Sequence, residues 1–578
     1  MIKKLNATKG LTINENFMIT AGPGAGKTHF LANHIEKILT NSSKVSELRK
    51  VLAITYTNIA ANNLARRIKN TSDSIYVSTI HSFLADCVLF PYAWTLDGKY
   101  SLSTDIRIDP YQSVSFPDFQ KLCKKYKYNW LLNDKTRIKI GRKIFFEKDG
   151  DNYKLSILPK DEGIYKTKNR IKNDSDFFME YKQICWKNGI INYEDVLFLS
   201  LLILRKNPFI AKIISKCFPF IFVDEFQDTS EIQADIIKIF AHYGSIVGII
   251  GDKNQSIYGF AHSSRKTFEN FSLPNLNNYF IGENHRSSDQ IVMLLNSITA
   301  ADSQQDLPKV SGPKPLILVG DTREAISYFL KTHSKNKEET KLVLSYSNEC
   351  VEQFKPSSGL IPPSNVKERI KDMVFDKRGK FIFRIIKAMK ITFDGQVDVG
   401  IDKFFQAYVG TNATQNYIMS RFVSIYQSFS ECINEDVGSW FNRNVLDKNI
   451  KKANSTSISK CMVKITKRSK LFLGMKIGHL LSEMVLEGAD STFRTIHQSK
   501  GDEADAVLIV IGDHSTKKEK LLSFMLEPNL ASTNETDRVY YVAMSRAKKE
   551  LFLSIPSLDI ATRKKVDSIG LVNIKDLT

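Results

Sequence analysis

A glycine-rich turn near the start of the chain constrains the fold more than any other feature. An apolar run at residues 17–21 leads into Gly22-Pro23-Gly24-Ala25-Gly26-Lys27-Thr28. Such a turn between a buried strand and a helix points successive backbone N–H groups at phosphate oxygens. Lys27 would reach the β and γ phosphates, and the Thr28 hydroxyl would hold Mg²⁺. The pattern predicts an α/β fold with a nucleotide-binding loop.

One observation and one alternative limit this interpretation of the turn. The usual first glycine of the pattern is replaced by Ala21, although a small side chain still allows the tight turn. The alternative is a glycine-rich loop that binds nothing. If the loop binds nucleotide, the residues expected to contact it are Gly22, Gly24, Ala25, Gly26, Lys27 and Thr28.

The chain carries a large excess of positive charge. Its 82 Lys and Arg against 62 Asp and Glu give a net charge of +20 over 578 residues. This balance favours a polyanionic partner, and both nucleic acid and an anionic membrane surface fit it. At about one domain per 100–200 residues, the length predicts three to five domains.

The sequence contains no signal for membrane insertion, for secretion or for a structural metal site. No apolar run approaches the roughly 18 residues of a spanning helix, and the first residues are not followed by a secretory segment. We therefore expect a cytoplasmic protein with no membrane partner. The seven cysteines occur singly, without a C-x-x-C pair, which predicts reduced thiols rather than a zinc or iron–sulfur site.

Two predicted strands follow the nucleotide loop in a βαβ rhythm, at residues 50–55 and 75–79. Polar groups come directly after them: Thr57 and Asn58 after the first, and His81 after the second. The carboxyl ends of parallel strands border the ligand crevice. We therefore expect these side chains at a binding surface.

From about residue 90 the βαβ rhythm lapses and the composition changes. Residues 121–148 contain ten Lys and Arg against two acids, with five aromatic residues interleaved. Such a segment is typical of a phosphate-binding surface. A solvated basic face is an equally good interpretation.

Two later apolar strands end in polar side chains. Residues 217–223 precede Asp224 and Glu225; beside a phosphate loop, Asp224 would hold Mg²⁺ and Glu225 would polarise the attacking water. Residues 246–251 precede a loop in which Gln255 is placed to sense the γ-phosphate. In the same loop Tyr258 and Phe260 either stack on bases or are core aromatics.

The order of these segments, continued in the second half, resembles the motifs of the UvrD/Rep-like superfamily 1 DNA helicases. The matching segments are 22–28, 55–58, 79–82, 223–230, 251–258, 283–287, 495–503 and 539–548. The resemblance implies two RecA-like parallel-sheet motor domains, each with a largely helical insertion. The first motor would comprise 1–88 and 190–284 around a basic insertion at 89–189. The second would comprise 285–347 and 486–578 around a basic insertion at 348–485.

The resemblance also implies roles for residues of the second half. Arg286 and Arg546 would approach the nucleotide as arginine fingers, whereas a surface salt bridge is the alternative for either one. Glu503 joins the nucleotide-binding set. His81 and His497 would contact DNA or backbone rather than a metal, because no second ligand stands at i+3 or i+4. The implied DNA-binding set is Thr57, Asn58, His81, Tyr258, Phe260 and His497.

The chain departs from the family pattern at two places. The family has a glutamine upstream of the loop that reads adenine, but the first glutamine here is Gln112. We therefore expect weak discrimination of adenine. After Phe260 the family usually has an arginine near the DNA, and here Ala261 and His262 stand instead.

The expected function is an ATP- and Mg²⁺-dependent 3′–5′ translocase or helicase on single-stranded and tailed duplex DNA, in DNA repair or antiviral defence. A different class stays open: a nucleotide-hydrolysing DNA sensor that regulates a separate nuclease subunit, with little unwinding of its own. The compact size and reduced second insertion resemble the UvrD-like component of the Gabija antiphage system, which works beside such a nuclease.

Overall fold

The computed structural model describes most of the chain between residues 2 and 577. Outside the described residues lie 7, 9, 69–72, 109–113, 133–139, 142–143, 158–174, 258–264, 335–338, 348–349, 352–376, 394–396, 409–412, 446–472, 484–491, 512–521 and 533–534. Tyr258 and Phe260, both expected at the DNA, therefore lie outside the described residues. So does most of the segment 443–476, the part of the second insertion with ten Lys and Arg against one acid.

The described residues form the following strands, in chain order: β1 Lys3–Lys4, β2 Asn16–Ala21, β3 Val51–Thr55, β4 Ile75–Thr79, β5 Arg107–Ile108, β6 Ile144–Asp149, β7 Asn152–Ile157, β8 Ile190–Ile191, β9 Phe220–Val223, β10 Ile246–Gly251, β11 Leu276–Ile281, β12 Leu316–Val319, β13 Lys341–Ser345, β14 Phe493–Thr495, β15 Ala504–Val510, β16 Ala547–Ile555 and β17 Asn573–Asp576.

The α-helices of the same residues are Lys27–Asn41, Asn58–Arg67, Ile80–Leu84, Phe90–Tyr92, Phe116–Lys125, Ser175–Lys187, Tyr193–Lys206, Pro208–Cys217, Glu231–His242, Arg265–Glu269, Asp289–Ser297, Thr322–Thr332, Lys377–Phe393, Val397–Ala407, Gln415–Phe429, Val437–Asn444, Ile477–Glu483, Ser523–Leu526, Thr536–Met544 and Ile560–Ile569.

The first sheet has seven strands in the order β1-β11-β2-β10-β9-β3-β4, and every pairing is parallel. Its inner strands β3, β9 and β10 are buried on both faces, as expected for a parallel sheet covered by helices on each side. Leu52 and Ile54 pack in one buried cluster, whereas Val51 and Ala53 pack in another. Successive side chains of a strand point to opposite faces, so the sheet lies between two cores.

The second sheet has six parallel strands in the order β14-β13-β15-β16-β12-β17. Buried side chains of one face of this sheet, among them Val507 and Leu553, pack with Tyr541 of the helix Thr536–Met544 in a separate cluster. The predicted α/β class with two parallel sheets is confirmed, and the two sheets with their helices are consistent with two RecA-like domains.

The segment between β4 and β9 combines helices with short strands. The hairpin β6–β7 is antiparallel, and β5 pairs with β8. Its apolar side chains, among them Phe146, Tyr181 and Trp186, belong to the same buried cluster as one face of the first sheet. This insertion therefore shares a core with the sheet that carries it.

The structure divides into two compact units. One comprises Met1–Glu352 with Thr492–Thr578 and contains both parallel sheets; the other comprises Gln353–Ser491. The described part of the second unit is helical, and its own core contains Ile382, Phe422 and Trp440. None of the helices seen in the described residues combines the length and the apolar character that crossing a membrane requires.

Candidate functional site

The glycine-rich turn connects β2 to the helix Lys27–Asn41 as the sequence predicts. Gly24 and Gly26 have φ of 71° and 82°, in the left-handed region that glycine enters without steric cost. Gly26 directly precedes the helix, so the helix N-terminus faces the turn. The Lys27 Nζ donates to the carbonyl oxygens of Ala21 at 3.2 Å and Gly22 at 3.3 Å. Backbone donors of the helix N-terminus and a cation thus lie together, an arrangement that suits a polyphosphate.

Asp224 follows β9 and faces this turn. Its Oδ2 lies 3.5 Å from the Thr28 hydroxyl. Burial raises the pKa of Asp224 to about 7, and the charge of the adjacent Glu225 adds to the rise. A divalent cation relieves such crowding of negative charge, and a hydroxyl with a carboxylate is a donor set that Mg²⁺ accepts. The residues present therefore fit a magnesium ion held by Thr28 and Asp224.

Glu225 has an unusual backbone conformation for a residue with a side chain. Its φ of 55° lies in the left-handed region, where non-glycine residues are uncommon and often functional. The Gln227 amide donates to the Glu225 carboxylate. Burial alone would raise the pKa of Glu225, but the charges of Lys27 and Lys500 outweigh it and the pKa is lowered. The carboxylate is therefore ionised at neutral pH, which is the state that polarises water.

Gln255 lies in the loop after β10 and is almost fully buried. Its Nε2 donates to Asp252 Oδ2 at 2.8 Å. The backbone N–H of Asp252 in turn donates to Gln227 Oε1 at 3.0 Å. This chain of bonds connects the loop after β10 with the loop that carries Glu225.

Arg546 reaches the same loop from the second sheet. Its Nη2 donates to Gln255 Oε1 at 3.0 Å, and its Nε donates to the carbonyl oxygen of Val542 at 3.0 Å. Burial lowers the pKa of Arg546 to about 9, and the nearby charge of Arg286 contributes. Arg546 is thus a buried contact between the two sheets rather than a surface salt bridge.

Arg286 lies directly against the glycine-rich turn. The preceding residue, His285, donates its backbone N–H to the carbonyl oxygen of Gly24 at 2.9 Å. A side chain at Gly24 would meet the Arg286 Cβ at 2.6 Å. The Arg286 guanidinium donates to Glu503 Oε2 at 2.8 Å and to the carbonyl oxygen of Ser545 at 3.1 Å. The structure therefore brings Arg286, Arg546 and Glu503 to the side of the turn that faces the second sheet.

The residues expected at DNA are only partly brought together. Thr57 caps the helix Asn58–Arg67 by accepting from the Ala60 N–H at 3.1 Å. His81 follows β4, which neighbours β3, and its ring lies 5.3 Å from that of Tyr193. Burial lowers the pKa of His81 to about 4. His497 follows β14 on the second sheet, with its ring 6.0 Å from Tyr346, and burial lowers its pKa too.

The basic segment 121–148 is more integrated into the protein than its composition indicates. Phe146 stacks on Phe198 at 3.8 Å in the core. The Lys148 Nζ lies 2.9 Å from Asp235 Oδ2, and the Lys125 Nζ lies 2.6 Å from Glu180 Oε2. The segment therefore serves packing in part.

Several residues that connect the site were not predicted. Gln305 donates to the carbonyl oxygen of Pro23 at 3.0 Å, and its side chain would meet any side chain at Gly22. Arg538 donates from Nε to the carbonyl oxygen of Ser256 at 2.7 Å. Lys500 pairs with Asp228. A lone glutamine, arginine or lysine carries no recognisable pattern; only Lys500 lies inside a segment that the sequence singles out.

The chain matches two family models. Residues 3–274 match the UvrD/REP helicase N-terminal domain, and residues 365–557 match the UvrD-like helicase C-terminal domain. Together these matches cover about four fifths of the chain.

Curated relatives agree with the family matches. The chain is 24% identical over 296 residues to a probable DNA helicase II homolog of Mycoplasma capricolum, covering 50% of this chain and 39% of the relative. It is 26% identical over 364 residues to the ATP-dependent DNA helicase srs2 of Schizosaccharomyces pombe, covering 58% and 39%.

A third relative is the ATP-dependent DNA helicase PcrA of Staphylococcus aureus, 26% identical over 322 residues, which cover 54% of this chain and 41% of the relative. The matches thus span about two fifths of the length of these relatives. With its N-terminal and C-terminal domains both matched, the chain belongs to the family of UvrD/Rep-like helicases.

Proposed function

We propose that this chain hydrolyses ATP between its two parallel sheets and uses the closure of that cleft to move 3′ to 5′ along single-stranded DNA. The hydrogen bond from Arg546 to Gln255 at 3.0 Å carries the proposal. It joins the loop after β10 of the first sheet to a buried arginine of the second, beside the glycine-rich turn. A nucleotide site completed by two domains is the arrangement that a motor requires, because opening the cleft separates the catalytic groups.

The proposed roles follow from charge and position. Lys27 and the loop N–H groups bind the phosphates, and Glu225 polarises the attacking water. Mg²⁺ held by Thr28 and Asp224 would neutralise charge on the β and γ oxygens. Gln255 senses the γ-phosphate. Its side-chain amide oxygen Oε1 accepts a hydrogen bond from Arg546, which fixes the orientation of the amide.

The two arginines supply positive charge from the side of the turn that faces the second sheet. Arginine fingers contribute about 10³–10⁵ in rate, so the position of Arg286 and Arg546 would gate hydrolysis. Glu503, which bonds to Arg286, is proposed to contact the nucleotide as well.

The DNA assignment is supported by the relatives and by charge. The relatives from S. pombe and S. aureus are named ATP-dependent DNA helicases, and the net charge of +20 suits a polyanion. We propose Thr57, Asn58, His81, Tyr258, Phe260 and His497 as the DNA-facing set. The direction of movement and the division into motors at 1–88 with 190–284 and 285–347 with 486–578 are proposed from the family resemblance.

Two assays with one purified protein test the function. Nucleotide hydrolysis is measured with and without single-stranded DNA, and strand displacement is measured on duplexes with 3′ or 5′ tails. We expect DNA-stimulated hydrolysis and displacement only from the 3′ tail. A rate of hydrolysis that is the same with and without DNA contradicts the proposed motor function.

The second candidate is a DNA sensor that regulates a partner nuclease in antiviral defence. The limited extent of the second unit, Gln353–Ser491, supports this candidate through its resemblance to the Gabija component. DNA-stimulated hydrolysis without displacement from either tail favours the sensor. Robust unwinding by the isolated chain favours the helicase.

A further inference from the structure

A histidine and two glutamates come together beside the second sheet, and none of the three has a role in the proposed function. His333 follows the helix Thr322–Thr332, Glu339 precedes β13, and Glu550 lies in β16. One ligand atom from each side chain lies within 4.8 Å of the other two. Histidine nitrogens and carboxylate oxygens are ligands from which proteins build sites for zinc and similar ions.

Strand β15 brings the two glutamates to the same place. Glu550 lies opposite Ala506 in the pairing of β16 with β15. Thr340, the residue after Glu339, donates its backbone N–H to Asp505 Oδ2 at 3.1 Å. The carbonyl oxygen of Thr340 accepts from the Ala506 N–H at 3.1 Å. The positions of both glutamates are therefore fixed by the backbone of one strand.

The His333 ring is buried and its orientation is fixed. Its side chain is only 4% exposed, and the ring packs against Phe329 and Phe552, with centroids 4.9 and 5.5 Å away. The Nδ1 atom lies 3.2 Å from Glu339 Oε2. Because an ionised carboxylate only accepts hydrogen bonds, Nδ1 is the nitrogen that donates. In a neutral ring, Nε2 then carries a lone pair.

The Nε2 atom of His333 has no hydrogen-bond partner within the part of the chain that the structure describes. A second acceptor, Glu550 Oε2, lies 4.0 Å from it. This separation is too long for a hydrogen bond. It is within the span of about 4.3 Å that two ligands reach across one ion, at about 2.0–2.2 Å from each. Rotation of Glu550, whose side chain is 36% exposed, would bring the two atoms to the separation of about 3.4 Å between tetrahedral ligands.

The charge around this pair favours a cation. Among the described residues, Glu339 and Glu550 form their ion pairs with His333 and with no lysine or arginine. Lys549, the neighbour of Glu550, pairs with Asp505 at 3.0 Å instead. Glu339 is only 14% exposed, so water compensates its charge incompletely. The carbonyl end of the helix that His333 caps adds partial negative charge.

We propose that His333 Nε2 and the Glu550 carboxylate bind a transition-metal dication of the zinc class, and that Glu339 orients the ring through Nδ1. A carboxylate bonded to the second nitrogen is the usual companion of a metal-bound histidine. Water completes the coordination on the exposed side of Glu550. Such an ion ties the end of the helix Thr322–Thr332 to β16 and so stabilises the second sheet.

This site differs in chemistry from the one proposed for Mg²⁺ at Thr28 and Asp224. Magnesium prefers oxygen ligands alone, whereas an imidazole nitrogen favours zinc, cobalt or nickel. The sequence does not reveal the site, because Glu550 comes from a strand that follows His333 and Glu339 much later in the chain. The inference does not rest on the proposed function.

The test titrates the full chain, without nucleotide, with Co²⁺ in the presence of excess Mg²⁺. Excess Mg²⁺ fills sites made of oxygen alone. Co²⁺ accepts the nitrogen and oxygen ligands of Zn²⁺, and its visible absorption reports on them. A cysteine thiolate as ligand would add intense charge-transfer bands, which separates this site from binding at the thiols.

Three variants are compared with the wild type. His333→Gln removes the nitrogen ligand, and Glu550→Gln weakens the carboxylate ligand. Glu339→Gln introduces an amide that can donate to Nδ1, which favours the tautomer with a protonated Nε2. Glu283→Gln is the matched control, because Glu283 also pairs with a histidine, His285, at 3.1 Å, but that ring is 60% exposed.

We expect the wild type to bind one Co²⁺ per chain without thiolate bands and to release it when Zn²⁺ is added. Glu550→Gln and Glu339→Gln should each weaken Co²⁺ binding by at least about tenfold, since even the partner of a ligand is worth about 10–100-fold in affinity. His333→Gln should abolish binding at this site, and Glu283→Gln should bind as the wild type. Co²⁺ should raise the thermal unfolding midpoint of the wild type but not that of Glu550→Gln, because an ion that binds the folded chain stabilises it.

A wild-type chain that binds no Co²⁺ in excess Mg²⁺ overturns the proposal. Equal binding by Glu550→Gln and the wild type also overturns it, since the ion is then adventitious, and thiolate bands would place the ion at cysteines. If His333→Gln does not fold, Glu550→Gln and Glu339→Gln still decide, because an amide keeps the shape of the carboxylate. These outcomes are separate from those of the hydrolysis and strand-displacement assays, which test the proposed function.

Discussion

Arg546 donates a hydrogen bond from Nη2 to Oε1 of Gln255 at 3.0 Å, although the two residues are 291 positions apart. Gln255 is fixed at its other end by Asp252, so the amide cannot rotate without breaking a bond to one sheet or the other. Whether the Gln255 amide can keep both hydrogen bonds therefore depends on how closely the two sheets approach.

Replacing Lys27 with alanine should reduce hydrolysis on the order of 10³-fold and leave folding intact. Among the described residues, the ammonium group bonds to carbonyl oxygens of its own loop, those of Ala21 and Gly22, so its loss should not disturb the core. Turnover and the thermal unfolding midpoint are measured together. The exposed Lys212→Ala is the control, and normal turnover in Lys27→Ala removes the nucleotide assignment.

Glu225 and Asp224 should respond differently to amide replacement. Glu225→Gln should keep ATP and Mg²⁺ binding but lose about 10²–10⁴-fold in kcat, because an amide cannot accept a proton. Asp224→Asn should instead raise the Mg²⁺ concentration needed for half-maximal hydrolysis, since it weakens the ligand beside Thr28. Titrating Mg²⁺ separates the two; identical curves contradict the separate roles.

The glycine-rich turn and the carboxylates of the candidate nucleotide site can be recognised in the sequence because each of these parts is local. The turn at 22–28, and Asp224 with Glu225 after β9, are read from an apolar run followed by special residues, and strand ends in a parallel sheet share one edge. The sheet order could not be predicted, since β11 and β10 flank β2 from more than 220 residues away. Contacts of that kind leave no local pattern.

The interpretation of aromatic and basic residues was less successful for a physical reason. Phe146 and Lys148 stand in one basic run, yet the ring is buried against Phe198 and the lysine pairs with Asp235. The two residues lie two positions apart on the same face of β6, yet their side chains enter different environments, and composition averages over such differences. The burial of Lys500 was not predicted either. In the sequence, a lysine buried between two sheets cannot be distinguished from a surface lysine.

Acid should weaken the helix behind the glycine-rich turn through His34. Its ring is buried among Phe17, Phe30 and Phe222, and burial, with the charge of Lys37, lowers its pKa to about 4. The unfolded chain, with a pKa near 6.5, then binds the proton first. The free energy of unfolding should therefore be unaffected above pH 6.5 and fall between about 6.5 and 4, by up to about 3 kcal/mol.

The test of this acid sensitivity compares urea-unfolding midpoints at pH 7.5 and pH 5. His34→Leu should lose less stability than the wild type on acidification, because the variant has no ring to protonate. His242→Gln, at an exposed position, is the control and should follow the wild type. Equal acid losses in His34→Leu and the wild type would show that His34 is not the responsible group.

Hydrolysis should discriminate poorly between ATP and GTP, because no glutamine precedes Gln112 to read the adenine ring. The values of kcat/KM for the two nucleotides are compared under one condition. We expect them to agree within about tenfold, or 1.4 kcal/mol. A much stronger preference for ATP would mean that another residue reads the base.

Exposed lysines of the segment 121–148 should bind DNA phosphates. Lys121, Lys124 and Lys127 are exposed, unlike the core ring of Phe146, so their triple replacement by glutamine should spare the fold. Each lost contact with a single strand should reduce the slope of log K against log salt by about 0.7. The slope for an oligo-dT should therefore fall by about 2, equally for other sequences of the same length.

The control for these lysines removes the same charge elsewhere. Lys331, Lys564 and Lys565 are exposed around the second sheet, and their triple replacement by glutamine lowers the net charge by the same three units. If the segment 121–148 contacts the strand, only the first variant changes the slope, because counterions are released at contacts and not by distant charge. Equal small losses in both variants would make the segment a solvated basic face, and the DNA strand would then be held by the proposed residues after β3, β4, β10 and β14.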